Sequence, residues 1–191
     1  MPNPHLTLDR VACVRGDRLL FEHVDLALAP GGAAMVRGPN GAGKSSLLRI
    51  IAGLLAPAAG TIAREGSIAL AAETAALDEQ RPLAAKLLFW ARLDGGGAGE
   101  VARGLDAMGL DALADVPVRL LSTGQRRRAT LARVIAGNAD IWLLDEPGNG
   151  LDTAALDRLA AAMAAHRARG GIVLAASHQP LGLADVQELQ L

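Results

Sequence analysis

Eight residues do most to restrict what this chain can become: Gly38-Pro39-Asn40-Gly41-Ala42-Gly43-Lys44-Ser45. They fit the pattern G-x-x-x-x-G-K-[ST]. They lie between a short apolar run, Ala33-Ala34-Met35-Val36-Arg37, and a segment apolar nearly all round, Ser46-Leu47-Leu48-Arg49-Ile50-Ile51-Ala52. The first reads as a buried strand and the second as a helix buried on several sides. A loop of this composition between a strand and a helix is a phosphate cradle. Gly38, Gly41 and Gly43 allow the tight turn and bring backbone N–H groups close to phosphate oxygens. A helix starting near Lys44 adds its positive N-terminal end. The Lys44 ammonium is expected on the β- and γ-phosphates of ATP, and the Ser45 hydroxyl is a hard oxygen ligand for Mg²⁺. Pro39, Asn40, Ala42 and Ser46 complete the stretch expected to contact nucleotide.

Such a loop needs an acidic partner on a neighbouring strand. Ile141-Trp142-Leu143-Leu144-Asp145 supplies one at the strand's carboxyl end, where Asp145 would order water around Mg²⁺. Glu146 follows at once, placed to polarise a water attacking the γ-phosphate. The competing reading is that Asp145 and Glu146 only cap the next helix. No protein nucleophile is required, because water attacks phosphorus directly.

The rest of the chain alternates between strand and helix patterns. Leu6 to Val14, Phe21 to Leu28, Thr61 to Ala63, Ser67 to Ala71 and Ile172 to Ala176 read as strands. Pro82 to Arg92 reads as a helix, a Gly-rich loop follows at 94–99, and Val101, Leu105 and Met108 recur at helical spacing. A third helix begins near Ser122, and Leu156, Leu159, Ala160 and Met163 mark a long helix further on. This order implies an α/β protein with a mainly parallel sheet. The expected division is one domain over 1–191, with a nucleotide-binding core at 1–72 and 137–191 and a helical insertion at 73–136. At 191 residues and 51% hydrophobic content the chain can bury a sizeable core, but with only 2% aromatic residues it must fill it with Ala, Leu, Val and Ile. A net charge of -1 gives no broad attraction to nucleic acid or anionic lipid. The lone Cys13 excludes an internal disulfide and fits a reducing compartment. The opening residues lack the pattern of a secretory signal, and no run of about twenty apolar residues spans a bilayer. A cytoplasmic protein is expected, with any membrane role supplied by a partner.

Leu121-Ser122-Thr123-Gly124-Gln125 narrows the family. Ser122 and Gln125 fit a capping box at a helix start. The pentapeptide also resembles the LSGGQ signature of ABC transporter ATPases, with Thr123 in place of the first Gly. Gly150-Leu151-Asp152 resembles that family's D-loop, and Ser177-His178 ends a strand where its switch histidine stands. Across nearly the whole chain the resemblance is to the ATPase subunit of the bacterial haem exporter of cytochrome c maturation. It is carried by Val116-Pro117-Val118, Leu121 to Arg128, Ile141 to Pro147, Gly170 to Leu174 and Ser177-His178-Gln179-Pro180-Leu181.

The resemblance implies a parallel-sheet core, an N-terminal antiparallel β part and an inserted helical subdomain. It implies that Ser122, Thr123, Gly124 and Gln125 face the γ-phosphate held by a second copy, that Asp152 lies near that contact, and that His178 senses the γ-phosphate. It also implies a homodimer working with integral membrane permease subunits at the cytoplasmic face of the inner membrane, powering release of a haem-loaded chaperone. Two positions depart from the pattern. Glu73 stands nearest to the family's Mg²⁺-binding Gln, and Arg15 stands where an aromatic ring usually stacks on adenine; a guanidinium plane can stack on a base. Two other functions remain open from the sequence: an ATPase for another cargo such as lipid or lipoprotein, and a nucleotide-binding scaffold with little turnover. His5, His23 and His166 read as surface or packing residues.

Overall fold

The computed structural model describes residues 3–72 and 80–191. Two sheets form the framework. β1 (His5–Arg15), β2 (Arg18–Leu28) and β4 (Ala59–Glu65) make an antiparallel sheet in the order β2-β1-β4. β5 (Ile68–Ala71), β6 (Ile141–Asp145), β7 (Ile172–Ala176), β3 (Ala33–Arg37) and β8 (Gln187–Gln190) make a second, all-parallel sheet in that order. Among the described residues, five helices accompany them: α1 (Lys44–Ile51), α2 (Leu83–Leu93), α3 (Ala98–Ala107), α4 (Thr123–Ala136) and α5 (Thr153–Ala168). Short 3-10 turns lie at Asp111–Leu113 and Val118–Leu120.

The inner parallel strands β3, β6 and β7 are apolar at consecutive positions because both faces are covered. Ala34, Val36, Ile141, Leu143, Ile172 and Leu174 face α1 and the antiparallel sheet. Their neighbours Met35, Trp142, Leu144, Val173 and Ala175 face a second core built with α2 to α5. The helical insertion therefore shares its core with one face of the sheet. Within it, Gly104 of α3 lets α4 approach closely: a Cβ there would lie 2.5 Å from the Ala132 carbonyl oxygen.

The strand and helix expectations hold with shifted ends. The expected strand at 61–63 extends to Ala59–Glu65, since pairing with β1 recruits the residues on either side. The loop expected at 94–99 is shorter, because α3 begins at Ala98. β8 was not expected: Gln187-Glu188-Leu189-Gln190 has one apolar residue, and its strand form comes from pairing with β3.

The arginines of α4 bind the insertion together. Arg126 donates to the carbonyls of Leu121 and Arg119, and Arg128 to those of Met108 and Gly109. Arg133 donates to the Leu70 carbonyl of β5 at 2.6 Å, and its guanidinium lies 5.1 Å from the Trp90 ring centre.

His166 is a packing residue, as one of its two readings had it. It is buried, stacked on Trp142 with ring centres 4.0 Å apart, and its Nε2 lies 3.1 Å from the Asp140 carbonyl oxygen. Burial, chiefly, pulls its pKa down to about 4; Arg169 adds to the shift, while Asp140 and the hydrogen bond with Ile172 oppose it. The unfolded chain, with an ordinary histidine near 6.5, binds a proton that the folded chain refuses. Stability from this site is therefore complete above pH 6.5 and is lost as pH falls toward 4, by about 2 kcal/mol at pH 5. Urea unfolding of parent and His166→Phe at pH 7.5 and pH 5 measures this. The variant's stability should fall less on acidification, and equal falls in both proteins would contradict the assignment.

Candidate nucleotide site

The loop between β3 and α1 is glycine-driven. Gly38, Gly41 and Gly43 all have positive φ, at 145°, 82° and 106°. Gly43 is doubly required, since a Cβ there would lie 2.9 Å from the Phe21 ring of β2. No side chain caps α1, so its first N–H groups are the free donors of a helix start. Lys44 is buried, and its Nζ donates to the carbonyls of Gly38 at 2.8 Å and Pro39 at 3.3 Å. This folds the ammonium back over the loop.

Parallel order brings the carboxyl ends of β6 and β7 beside this loop. Asp145 closes β6 and is buried, and its Oδ1 makes no hydrogen bond among the described residues. Glu146 comes next, with φ of 46°, immediately before Pro147. A non-glycine residue in this left-handed region costs about 1–3 kcal/mol. Its N–H donates to the Ala176 carbonyl at the end of β7, at 2.8 Å. The side chain is largely buried, and Oε1 lies 3.7 Å from Lys44 Nζ and 3.2 Å from His178 Nδ1. Neither carboxylate oxygen of Glu146 makes a hydrogen bond among the described residues.

The result is a cavity of about 500 Å³ bordered by Asn40, Gly41, Gly43, Lys44, Ser45, Ser46, Asp145, Glu146 and His178. Leu20 of β2 and Asn149 also line it. Neither was singled out as a site residue. Asn149 had a usable signal, a polar side chain in the turn after the acidic pair, whereas Leu20 had none.

Asp145 and Glu146 do not cap a helix. α5 starts at Thr153, and its cap is Asp152, whose Oδ1 accepts from the Ala155 N–H at 2.8 Å. The capping box at α4 is present: the Gln125 N–H donates to Ser122 Oγ at 3.3 Å, and the Ser122 N–H to Gln125 Oε1 at 2.8 Å. Ser122, Thr123, Gly124, Gln125 and Asp152 are not among the residues lining the cavity of their own chain. Gly124 and the 148–150 turn are close neighbours, since a Cβ on Gly124 would lie 3.3 Å from the Gly150 carbonyl oxygen. Arg15 ends β1 opposite Arg18, is exposed, and does not line the cavity. Glu73 lies outside the described residues.

The family model described as ABC transporter matches residues 21–149. The cytochrome c biogenesis ATP-binding export protein CcmA of Sphingopyxis alaskensis is 61% identical over 184 residues, covering 96% of this chain and 95% of the relative. The protein of that name from Zymomonas mobilis is 51% identical, covering 99% and 85%. This chain belongs to the ABC transporter ATP-binding family, among the cytochrome c biogenesis ATP-binding export proteins. Among solved structures, an ABC transporter ATP-binding protein of Pyrococcus furiosus superposes with a TM-score of 0.86 at 25% identity, covering 98% of this chain and 97% of that one. The chain is thus an ATP-binding, ATP-hydrolysing subunit of an ABC transporter, and its fold is that of the family's ATPases. No helix among its described residues is long and apolar enough to cross a membrane.

Proposed function

We propose that this chain powers a haem exporter of cytochrome c maturation, driving release of a haem-loaded chaperone. Supporting the cargo are the names of its close relatives and the Ser177-His178-Gln179-Pro180-Leu181 ending. The observation that carries the catalytic reading is the Glu146 carboxylate, largely buried, without a hydrogen bond among the described residues, and facing both Lys44 and His178.

Lys44 and the loop N–H groups hold the β- and γ-phosphates and stabilise the charge that develops during transfer. Glu146 takes the proton of the attacking water, and His178 hydrogen-bonds the γ-phosphate at the open rim of the site. Ser45 and Asp145 fit Mg²⁺: both residues border the same cavity, and the buried Asp145 Oδ1 has no hydrogen-bond partner among the described residues. Bound Mg²⁺ would neutralise phosphate charge, taking its remaining ligands from phosphate and water. Glu73 is proposed as a further ligand, and Arg15 as a platform for adenine.

The signature residues Ser122 to Gln125 complete the site of a second copy, so two ATP molecules would be shared across a two-fold dimer. Both halves touch ATP, so binding favours the closed pair and loss of the γ-phosphate opens it. Residues 73–136 form the subdomain that passes this motion to integral permease subunits, through which the chain is held at the cytoplasmic face of the inner membrane. Phe89 and Leu93, both exposed on α2, suit such a contact.

Replacing the chromosomal copy with Lys44→Ala tests the cargo. Covalently haem-stained cytochromes c should disappear from membranes while other membrane haem proteins persist. Normal haem staining would refute the export role.

A further inference from the structure

Arg127 leaves the first turns of α4 and reaches the carboxyl ends of two strands. Its Nη1 donates to the Ala72 carbonyl, just after β5, at 3.3 Å. Its Nη2 donates to the Asp145 carbonyl at 2.6 Å and also to the Glu146 carbonyl. One guanidinium therefore holds both consecutive carbonyls of the acidic pair. Among the described residues, the neighbouring arginines of α4 donate elsewhere: Arg126 and Arg128 to carbonyls of the helical insertion, and Arg133 to Leu70 of β5.

What Arg127 holds is a strained backbone. Glu146 lies in the left-handed region before a proline, a conformation that persists only when surroundings enforce it. Among the described residues, three groups enforce it: the Ala176 carbonyl accepts the Glu146 N–H, and the Glu146 carbonyl accepts from the Asn149 N–H at 3.1 Å and from Arg127. Arg127 is the one side chain among these, and it comes from the helix whose start carries Ser122. Charge-assisted hydrogen bonds of a guanidinium are among the stronger constraints a side chain can apply.

The geometry points to Arg127 as a positioning residue: it clamps the Asp145–Glu146 backbone from the signature helix and thereby sets where the Glu146 carboxylate meets the attacking water. This rests on Glu146 being the base. A misplacement of about 1 Å in a reacting group can cost about a hundredfold in rate, so the clamp acts on kcat. Arg127 is not itself among the residues bordering the cavity, and what it holds there is backbone, so its loss should act on kcat far more than on ATP affinity.

The test compares parent, Arg127→Gln, Arg127→Lys, Glu146→Gln, the Glu146→Gln/Arg127→Gln double variant and Arg128→Gln, each purified with the membrane partner. Arg127→Gln should lower kcat by about 10- to 100-fold while the Kd for ATP stays within about twofold of the parent. Arg127→Lys, able to reach fewer carbonyls, should fall between. In single-turnover phosphate release, the double variant should be no slower than Glu146→Gln, because a clamp has nothing to position once the base is gone. Arg128→Gln removes the same charge one residue along and should leave kcat within about twofold. The proposal is overturned if Arg127→Gln keeps parental kcat, if its rate falls only in step with ATP affinity, or if its effect persists in full beside Glu146→Gln. If Arg127→Gln does not fold, the same readouts on Arg127→Lys decide, and a parental kcat there overturns the clamp. Parental turnover by Glu146→Gln would instead overturn the base assignment, and the proposal with it.

Discussion

Replacing Glu146 by Gln should leave ATP bound at near-parental affinity and cut turnover by about 10²- to 10⁴-fold, the span that a positioned general base supplies. The amide keeps the shape of the carboxylate and cannot accept the proton of the attacking water. It also removes a negative charge 3.7 Å from the Lys44 ammonium, which should not weaken binding of an anionic triphosphate. On the proposed two-copy site, hydrolysis is what releases the γ-phosphate, so the variant should accumulate as an ATP-loaded dimer. Size-exclusion chromatography with ATP and Mg²⁺, beside an ATPase assay of the complex with its membrane partner, reads both effects. Hydrolysis at the parental rate would remove Glu146 from the chemistry.

Two inactive variants should rescue each other. Lys44→Ala removes the ammonium from the phosphate cradle, and Ser122→Arg puts a bulky cation at the start of α4. Each alone should lower ATPase activity at least about a hundredfold, through the charge stabilisation lost or the closed pair prevented. Ser122→Arg should do so with little loss of ATP binding by the single subunit, since Ser122 does not line its own chain's cavity. In a mixed dimer, the Ser122→Arg copy offers an intact loop and the Lys44→Ala copy an intact signature helix, so one of the two sites is whole. Random pairing of equal amounts should restore about a quarter of the parental activity. A mixture as inactive as its components would argue that each chain completes its own site.

The limits of sequence reading follow from what kind of constraint each residue obeys. The phosphate loop was legible because backbone turns, cationic charge and a helix start must occur in a fixed local order, and Gly38 to Ser45 meets all three. The Ser122–Gln125 capping box was legible for the same reason: its two hydrogen bonds join residues three apart. Asp145 and Glu146 were legible as acids after a buried strand, yet sequence alone left helix capping open. The structure closed that alternative by starting α5 at Thr153 under an Asp152 cap.

Local pattern by itself determined all the helices, every strand but β8, and the chemistry of the loop, because hydrophobic period, turn residues and caps act over a few positions. Tertiary structure alone decided how the distant pieces meet. Parallel pairing of β6 with β7 and β7 with β3 put Glu146 and His178 beside Lys44. Burial beside Trp142 turned His166 into a histidine whose charged form is disfavoured, although no neighbour in sequence announces it. β8 exists because β3 offers an open edge, and the hydrogen bonds that form it belong to the backbone, which carries no mark in the sequence. Arg127 reads as one more charge in a run of three until folding brings the ends of β5 and β6 within its reach.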